Sequence, residues 1–139
     1  MFIVLYLKNI SARKDPKDGL RILVAAENKP DATQASFDEL WTSLAPPTGS
    51  LVKYRAESGR REVKSNTKVQ ERLWNKFMVE YMEHLNQPLQ KRRVADLAAI
   101  ALREDVTILS EEKNWPYSIR WALVRALKEM APSMQVQVG

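Results

Sequence analysis

The chain has 139 residues, a formal net charge of +5 at pH 7 and no cysteine, and 45% of its residues are hydrophobic. This length predicts a single domain over residues 1–139, and the composition is that of a globular protein rather than a disordered or membrane protein. The lack of cysteine excludes disulfide frameworks, thiolate nucleophiles and nearly every structural zinc site.

Two apolar segments near the start of the chain predict strands. Phe2–Leu7 is a continuous apolar run, typical of a strand covered on both faces, and it is too short for a signal peptide or a membrane span. We therefore expect a cytoplasmic protein that does not bind membranes. Leu20–Ala25 is the second predicted strand, and the turn-forming residues Glu27–Asp31 open a polar loop after it.

The next part of the chain predicts a short helix and an ambiguous basic segment. Ser36–Glu39 matches a capping box, so we expect a helix there, ended by Pro46 and Pro47. Leu51–Lys64 surrounds the turn-like sequence Glu57–Arg60, which predicts a basic hairpin insertion. A disordered basic loop is the alternative.

Apolar residues at three- and four-residue spacing predict two consecutive helices. The longer one begins near Asn66 and Thr67 and ends at Pro88. The second covers residues 89–103, with its apolar side chains turned inward.

The last third of the chain predicts a strand, a helix and an edge strand. Val106–Leu109 is the strand, Pro116 lies in the first turn of the helix, and Met134–Val138 alternates as an edge strand does. This order predicts an α/β fold: a small three-layer domain with a short, mostly parallel sheet flanked by helices. We expect Val106–Leu109 to lie parallel to Leu20–Ala25.

Polar side chains follow two of the predicted strands and are our candidates for a ligand pocket. Glu27 and Asn28 follow the second strand, and Glu111, Glu112 and Lys113 follow the third. Ligands of open parallel sheets bind beyond the carboxyl ends of the strands, so these side chains would converge if the two strands are neighbours. An ordinary solvated turn is the alternative.

The sequence offers no support for a catalytic residue, a metal or a cofactor. His84 is the only histidine, and no Ser, Cys or second His stands at a meaningful spacing from it. The four glycines are widely scattered, so no glycine-rich phosphate loop exists.

Positive charge is concentrated in residues 51–76, where eight Lys or Arg face three Glu, an excess equal to the whole net charge. This suggests weak, salt-sensitive, non-specific binding of nucleic acid or another polyanion, with Tyr54 available for stacking. A solvated, mobile loop is the alternative. The polyanion-binding candidates are Lys53, Arg55, Arg60, Arg61, Lys64 and Lys68.

Several motifs in a fixed order carry a resemblance to a known family. They are Asp18–Val24, Leu44-Ala-Pro46, the spacing of Trp74, Phe77 and Tyr81, and Val106–Leu109 followed by Lys113. Over about residues 18–127 the chain resembles the short branch of the family known as domain of unknown function 488, or DUF488. The resemblance implies a small three-layer α/β domain with a site where the loops after the second and last strands meet. It implies no established reaction.

The chain also departs from the pattern of that family. Members usually carry Asp and Arg just after the second strand, where this chain has Ala25 and Ala26, and His near the start of the last helix, where it has Tyr117 and Ile119. The resemblance therefore implies a catalytically degenerate binding module and disfavours an enzyme. Two alternatives remain open: a small-molecule enzyme that uses the loop after the last strand, and a self-associating protein whose exposed Trp and Met side chains form a homodimer interface.

Overall fold

The structure is a computed structural model and describes residues 4–9, 12, 15–25, 37–110 and 118–138. The strands within them are β1 (Val4–Asn9), β2 (Leu20–Leu23), β3 (Glu39–Leu40), β4 (Val106–Ser110) and β5 (Gln135–Val138). The α-helices are α1 (Thr48–Ser58), α2 (Arg61–Lys64), α3 (Thr67–Leu85), α4 (Pro88–Ala101) and α5 (Ile119–Met130). Short 3₁₀ helices cover Pro16–Asp18 and Thr42–Leu44.

The described strands form one sheet in the order β3-β2-β4-β1-β5, and every neighbouring pair is parallel. All five residues of β4 are buried, as expected for the central strand of a sheet covered on both faces. Leu20 pairs with Val106 and Leu23 with Leu109, which confirms the predicted parallel pairing. The predicted α/β fold and the predicted edge strand at the end of the chain are therefore confirmed.

One face of the sheet packs against the helices. Its strand residues share a single core with the apolar faces of α3, α4 and α5. Because side chains alternate along a strand, these positions are every second residue: Leu5, Leu7, Ile22, Val24, Val106 and Ile108.

The opposite face carries a smaller apolar cluster and a group of charged side chains. Leu23, Ala25, Phe37 and Leu109 form the cluster, with Leu40 packed against it. Within the described residues, this layer consists of the chain around the Pro16–Asp18 turn and of Phe37, rather than of an α-helix.

The helix predicted from the Ser36–Glu39 capping box is wrong for the described part of that segment. Residues 39–40 form β3, because the backbone donors of Asp38 and Trp41 bind the carbonyls of β2 at Arg21 and Leu23 (2.8 and 2.9 Å). Phe37 belongs to the small cluster and Trp41 to the main core, on opposite faces of the sheet. Phe37 lies before the two-residue strand and Trp41 after it, where the backbone is irregular, whereas a continuous helix would bring residues four apart to one face.

The prolines and the basic segment also behave differently from the prediction. Pro46 and Pro47 follow the short 3₁₀ helix Thr42–Leu44 instead of a longer α-helix, and Pro47 is the N-cap residue of α1. The predicted hairpin at Leu51–Lys64 is wrong, because the segment forms α1 and α2. Its residues do not alternate between polar and apolar, and Leu, Lys, Arg, Ala and Glu favour helix. Gly59 between the helices has φ −80°, an ordinary helical value.

The remaining helices agree with the predictions apart from their ends. The Asn66 side chain caps α3 by accepting from the backbone N–H of Val69 at 3.2 Å. Pro88 lies in the first turn of α4 instead of ending α3, which stops at Leu85. Ser118 caps α5, and the predicted role of Pro116 lies outside the described residues. In the described part of the chain, the helices are too short or too polar to cross a membrane.

Candidate functional site

The predicted ligand-pocket residues Glu27, Asn28, Glu111, Glu112 and Lys113 lie outside the described residues. The strands that precede them are adjacent, as the prediction required, and their pairing continues to the carboxyl ends. The backbone N–H of Val24, just after β2, donates to the carbonyl of Leu109 in β4 at 3.0 Å. Both loops therefore leave one edge of the sheet at neighbouring points, and the convergence of the five side chains stays a prediction.

Buried polar side chains lie at this carboxyl edge and at the start of α5. Ser110 ends β4 and is fully buried, and its hydroxyl has no hydrogen-bond partner in the described part of the chain. Ser118 and Arg120 are also fully buried. The Ser118 hydroxyl oxygen accepts from the backbone N–H of Arg120 (3.3 Å) and from its Nε (2.8 Å). The Arg120 side chain therefore folds back onto Ser118, the N-cap residue of α5, and stabilises the first turn of that helix.

A buried charge cluster on the less apolar face of the sheet joins Lys8, Asp18 and Arg21. Asp18 Oδ1 accepts from Lys8 Nζ at 2.6 Å, and Asp18 Oδ2 accepts from the Arg21 guanidinium and from the backbone N–H of Asp15. Thr107 on β4 donates to the Asp18 carbonyl at 2.8 Å. The cluster thus fastens the turn before β2 to three strands, and we call it the Asp18 clamp.

The Asp18 clamp also sets the ionisation of its carboxyl group. Burial alone raises the pKa of Asp18, but the hydrogen bonds from Lys8, from the backbone of Asp15 and from Arg21, with the charge of Lys8, lower the pKa below its ordinary value. Asp18 therefore stays ionised at neutral pH. Because both carboxylate oxygens already accept hydrogen bonds, this group suits a structural role better than proton transfer.

The three residues of the Asp18 clamp were not predicted as a site. Asp18 and Arg21 stood out only as part of the family resemblance, and Lys8 did not stand out at all. A signal was present, since Arg21 lies within the second predicted strand of a sheet predicted to be flanked by helices, and a buried Arg needs a nearby acceptor. The acceptor could not be identified without knowing that the turn before β2 folds over the sheet.

The polyanion-binding candidates lie on three consecutive helices. Lys53 and Arg55 are on α1, Arg61 and Lys64 on α2 with Arg60 capping it, and Lys68 is on the first turn of α3. All six side chains are exposed. Both α1 and α2 pack against α3, and the Gln70 side chain donates to the backbone carbonyl of Lys64 at 3.2 Å. The structure therefore gathers these residues on one group of helices, which we call the basic surface.

The balance of positive and negative charge on the basic surface changes along α3. Exposed cations at Arg72 and Lys76 continue the line from Lys68 at four-residue spacing, which keeps them on one side of the helix. Around Lys53 and Lys76, however, Glu57 and Glu80 line the same shallow pocket and balance their charge. The excess of positive charge is therefore centred on α2 and the start of α3.

Tyr54 is half-buried and engaged within the domain, which disfavours the expected stacking on a nucleobase. Its ring stacks on Phe77 with centroids 4.9 Å apart and meets Trp74 edge-on at 5.4 Å. These ring contacts attach α1 to α3, and any binding by the basic surface would have to rely on charge.

A parallel sheet with its helices packed on one face, a buried charge clamp on the other and a basic helical surface define a small α/β domain. Residues 5–131 match the family model DUF488-N3a, described as the active DUF488-N3 subclade. The chain therefore belongs to the DUF488 family, a family of unknown function, as the resemblance suggested. No curated protein and no solved structure matches the chain.

Proposed function

We propose that this DUF488 domain is a catalytically degenerate binding module that holds polyanions, nucleic acid foremost, on the basic surface. Binding is weak, salt-sensitive and indifferent to base sequence. The observation that carries the proposal is the placement of six exposed cations on α1, α2 and the start of α3.

The packing of these helices supports a role beyond folding. Neither α1 nor α2 buries any residue completely, and α1 touches the core only through the half-buried Leu51 and Tyr54. A helix that contributes little to the core can present its charged side chains without a large loss of stability. Lys and Arg on such a surface can meet phosphates without unpacking the domain.

Electrostatics predicts how the binding would behave. Each phosphate that a Lys or Arg neutralises releases condensed counterions, so log affinity falls linearly with log salt, with a slope of about −0.9 per phosphate on duplex DNA. The Tyr54 ring packs against Phe77 and Trp74, and the six candidate side chains are cations that meet phosphates rather than base edges, so little sequence preference is expected.

The test is a fluorescence titration of mixed-sequence duplex DNA and single-stranded RNA at about 50 to 200 mM salt, the range over which binding to phosphates weakens most visibly. The test variant changes Arg60, Arg61, Lys64 and Lys68 to Ala. A matched control removes four exposed cations elsewhere, by changing Lys91, Arg92, Arg103 and Lys128 to Ala.

The test variant should bind more weakly, with a salt slope shallower by about 0.9 for each phosphate that is no longer neutralised, whereas the control should keep the slope of the unchanged protein. Equal weakening in both variants would mean that net charge alone attracts the polyanion, and it would reject the basic surface as the site. Absence of binding at the lowest salt would reject the proposal as a whole.

A small-molecule enzyme at the carboxyl edge is the second candidate, favoured by the adjacency of β2 and β4 at that edge and by the match to the active DUF488-N3 subclade. Glu111, Glu112 and Lys113 would then carry the chemistry. A thermal-shift screen of small anions and cations tests it. Stabilisation by one compound that disappears in Lys113→Ala or Glu111→Gln would favour this candidate, and stabilisation unaffected by both would count against it.

A further inference from the structure

A groove between α3 and α5 exposes apolar side chains on the outer side of the helix layer. Two adjoining parts of the groove are open to solvent and have volumes of about 510 and 360 Å³. The residues that define this α3–α5 groove are Met78, Val79, Met82, Trp121, Arg125 and Glu129.

The groove exposes apolar side chains outside the buried stripe of α3, although Met78 and Met82 on its floor also pack against the core. The buried stripe of α3 is Trp74, Phe77, Tyr81 and Leu85. Val79 points away from it and is 59% exposed, and Trp121 on α5 is 42% exposed. A helix at the surface of a monomer usually carries polar residues at such positions, and apolar side chains grouped around a groove are candidates for contact with a partner.

The groove carries both halves of a self-complementary interface. Val79 and Trp121 are its exposed apolar side chains, while the half-buried Met78 and Met82 line its floor. Its rim has both signs of charge, because the exposed Glu83, Arg125 and Glu129 line it, and Arg125 Nε lies 4.0 Å from Glu129 Oε1 of the same copy. In an interface with two-fold symmetry, the same patch of both copies meets itself. Such a patch must therefore carry exposed apolar side chains, a surface that receives them, and charges of both signs.

We propose that the α3–α5 groove is the interface of a homodimer in which two copies pack groove to groove about a two-fold axis. Apolar side chains of each copy fill the Met-lined floor of the other, and Arg125 of each copy faces the acidic rim of the other. Along α3, the groove runs from Asn75 to Asn86, about 16 Å at 1.5 Å per residue, which suits packing against helices of a second copy. Its acidic excess makes it an unsuitable site for a polyanion, so this proposal is independent of the one above.

Sedimentation equilibrium from micromolar to millimolar protein tests the apolar part of the proposal. The unchanged protein should approach twice the monomer mass, and Val79→Glu should raise the dissociation constant about tenfold or more, because the introduced charges would be buried at the interface. Leu89→Glu is the matched control: Leu89 is 62% exposed, lies on α4 and is not part of the groove. A monomer at every concentration, or equal weakening by Leu89→Glu, would overturn the proposal.

A charge exchange tests the two-fold arrangement. Arg125→Glu places acidic residues opposite each other, and Glu83→Arg with Glu129→Arg places basic residues opposite each other, so each variant alone should be monomeric. Mixed in equal amounts, the two should form a heterodimer at least as tight as the unchanged dimer. Failure of the mixture to associate would overturn the groove-to-groove arrangement. Circular dichroism of every variant checks that the fold is kept.

Discussion

Replacing Asp18 with Asn removes the carboxylate that holds two largely buried cations together. Asp18 and Arg21 are each 1% exposed, and the Lys8 side chain is 15% exposed. The variant would leave both cations with an amide oxygen in place of a charge. Removing one partner of a buried ion pair costs about 3–5 kcal/mol, because the remaining charge is no longer compensated. The retained oxygen can still accept one hydrogen bond, so we expect about 3 kcal/mol, the lower end of that range.

Urea unfolding at neutral pH, followed by tryptophan fluorescence, measures this decrease in the free energy of unfolding. Asp96→Asn is the matched control, since it makes the same chemical change in the exposed Arg93–Asp96 pair, whose atoms are 3.3 Å apart. Exposed pairs contribute about 0–1 kcal/mol, so the control should be destabilised by no more than that. A decrease below about 1 kcal/mol for Asp18→Asn, or equal decreases in both variants, would refute the assignment of the Asp18 clamp as a buried electrostatic interaction.

The pH dependence of stability and three further substitutions test other parts of the fold. The pKa of the Asp18 carboxyl group is lowered in the folded state, so its ionised form stabilises the fold. This contribution should be complete above the unfolded pKa of about 3.9 and should disappear as the pH falls below that value. The free energy of unfolding measured from pH 7 to pH 3 should therefore depend less on pH in Asp18→Asn than in the unchanged protein. Tyr81→Phe should cost about 1–3 kcal/mol in urea unfolding, because the buried hydroxyl donates to the backbone carbonyl of Leu44 at 2.5 Å, which would be left without this donor. Gly19→Ala should cost more than about 1 kcal/mol, because φ is +64° and the new Cβ would collide with the carbonyl oxygen of Asp105; a neutral result would contradict that close approach. Gly49→Ala should instead raise stability by about 0.4–1 kcal/mol, since this helical glycine has open space around its missing Cβ, and a raised thermal midpoint would verify it.

The main strands and the long helices were predictable because their own residues specify them. A continuous apolar run such as the one in β1 indicates a strand covered on both faces, and the three- and four-residue spacing of α3 indicates a helix with one buried side. The parallel pairing of β2 and β4 followed from the order of the elements. The residues that begin and end each element were less predictable, as at Pro88, because proline suits a helix start as well as a helix end.

The errors fall where the local pattern is misleading or faint. β3 has two residues, and only its pairing with β2 makes it a strand, so its local capping pattern indicated a helix. The basic segment gave a weak signal of either kind, because α1 buries no residue completely and its helical pattern is correspondingly faint. Pairing with β2 thus decided the conformation of β3, whereas the helix propensity of its own residues decided that of the basic segment.

The Asp18 clamp shows why the candidate site was harder to predict than the fold. Its three side chains come from β1, from the turn before β2 and from β2, and they meet only because that turn crosses the sheet. Each is a common residue type at a position without periodic meaning. Only the location of Arg21 within a buried strand indicated that a counter-charge had to lie nearby.

The basic surface differs from the Asp18 clamp in its relation to stability. The clamp buries its charges, and each charge has a partner that the fold supplies. On α2 and in the first turn of α3, the exposed Arg61, Lys64 and Lys68 outnumber Glu62, and like-charge repulsion among them adds nothing to the stability of the isolated domain. Folding therefore does not account for the concentration of charge, whereas a polyanion bound there would turn the repulsion into a source of affinity.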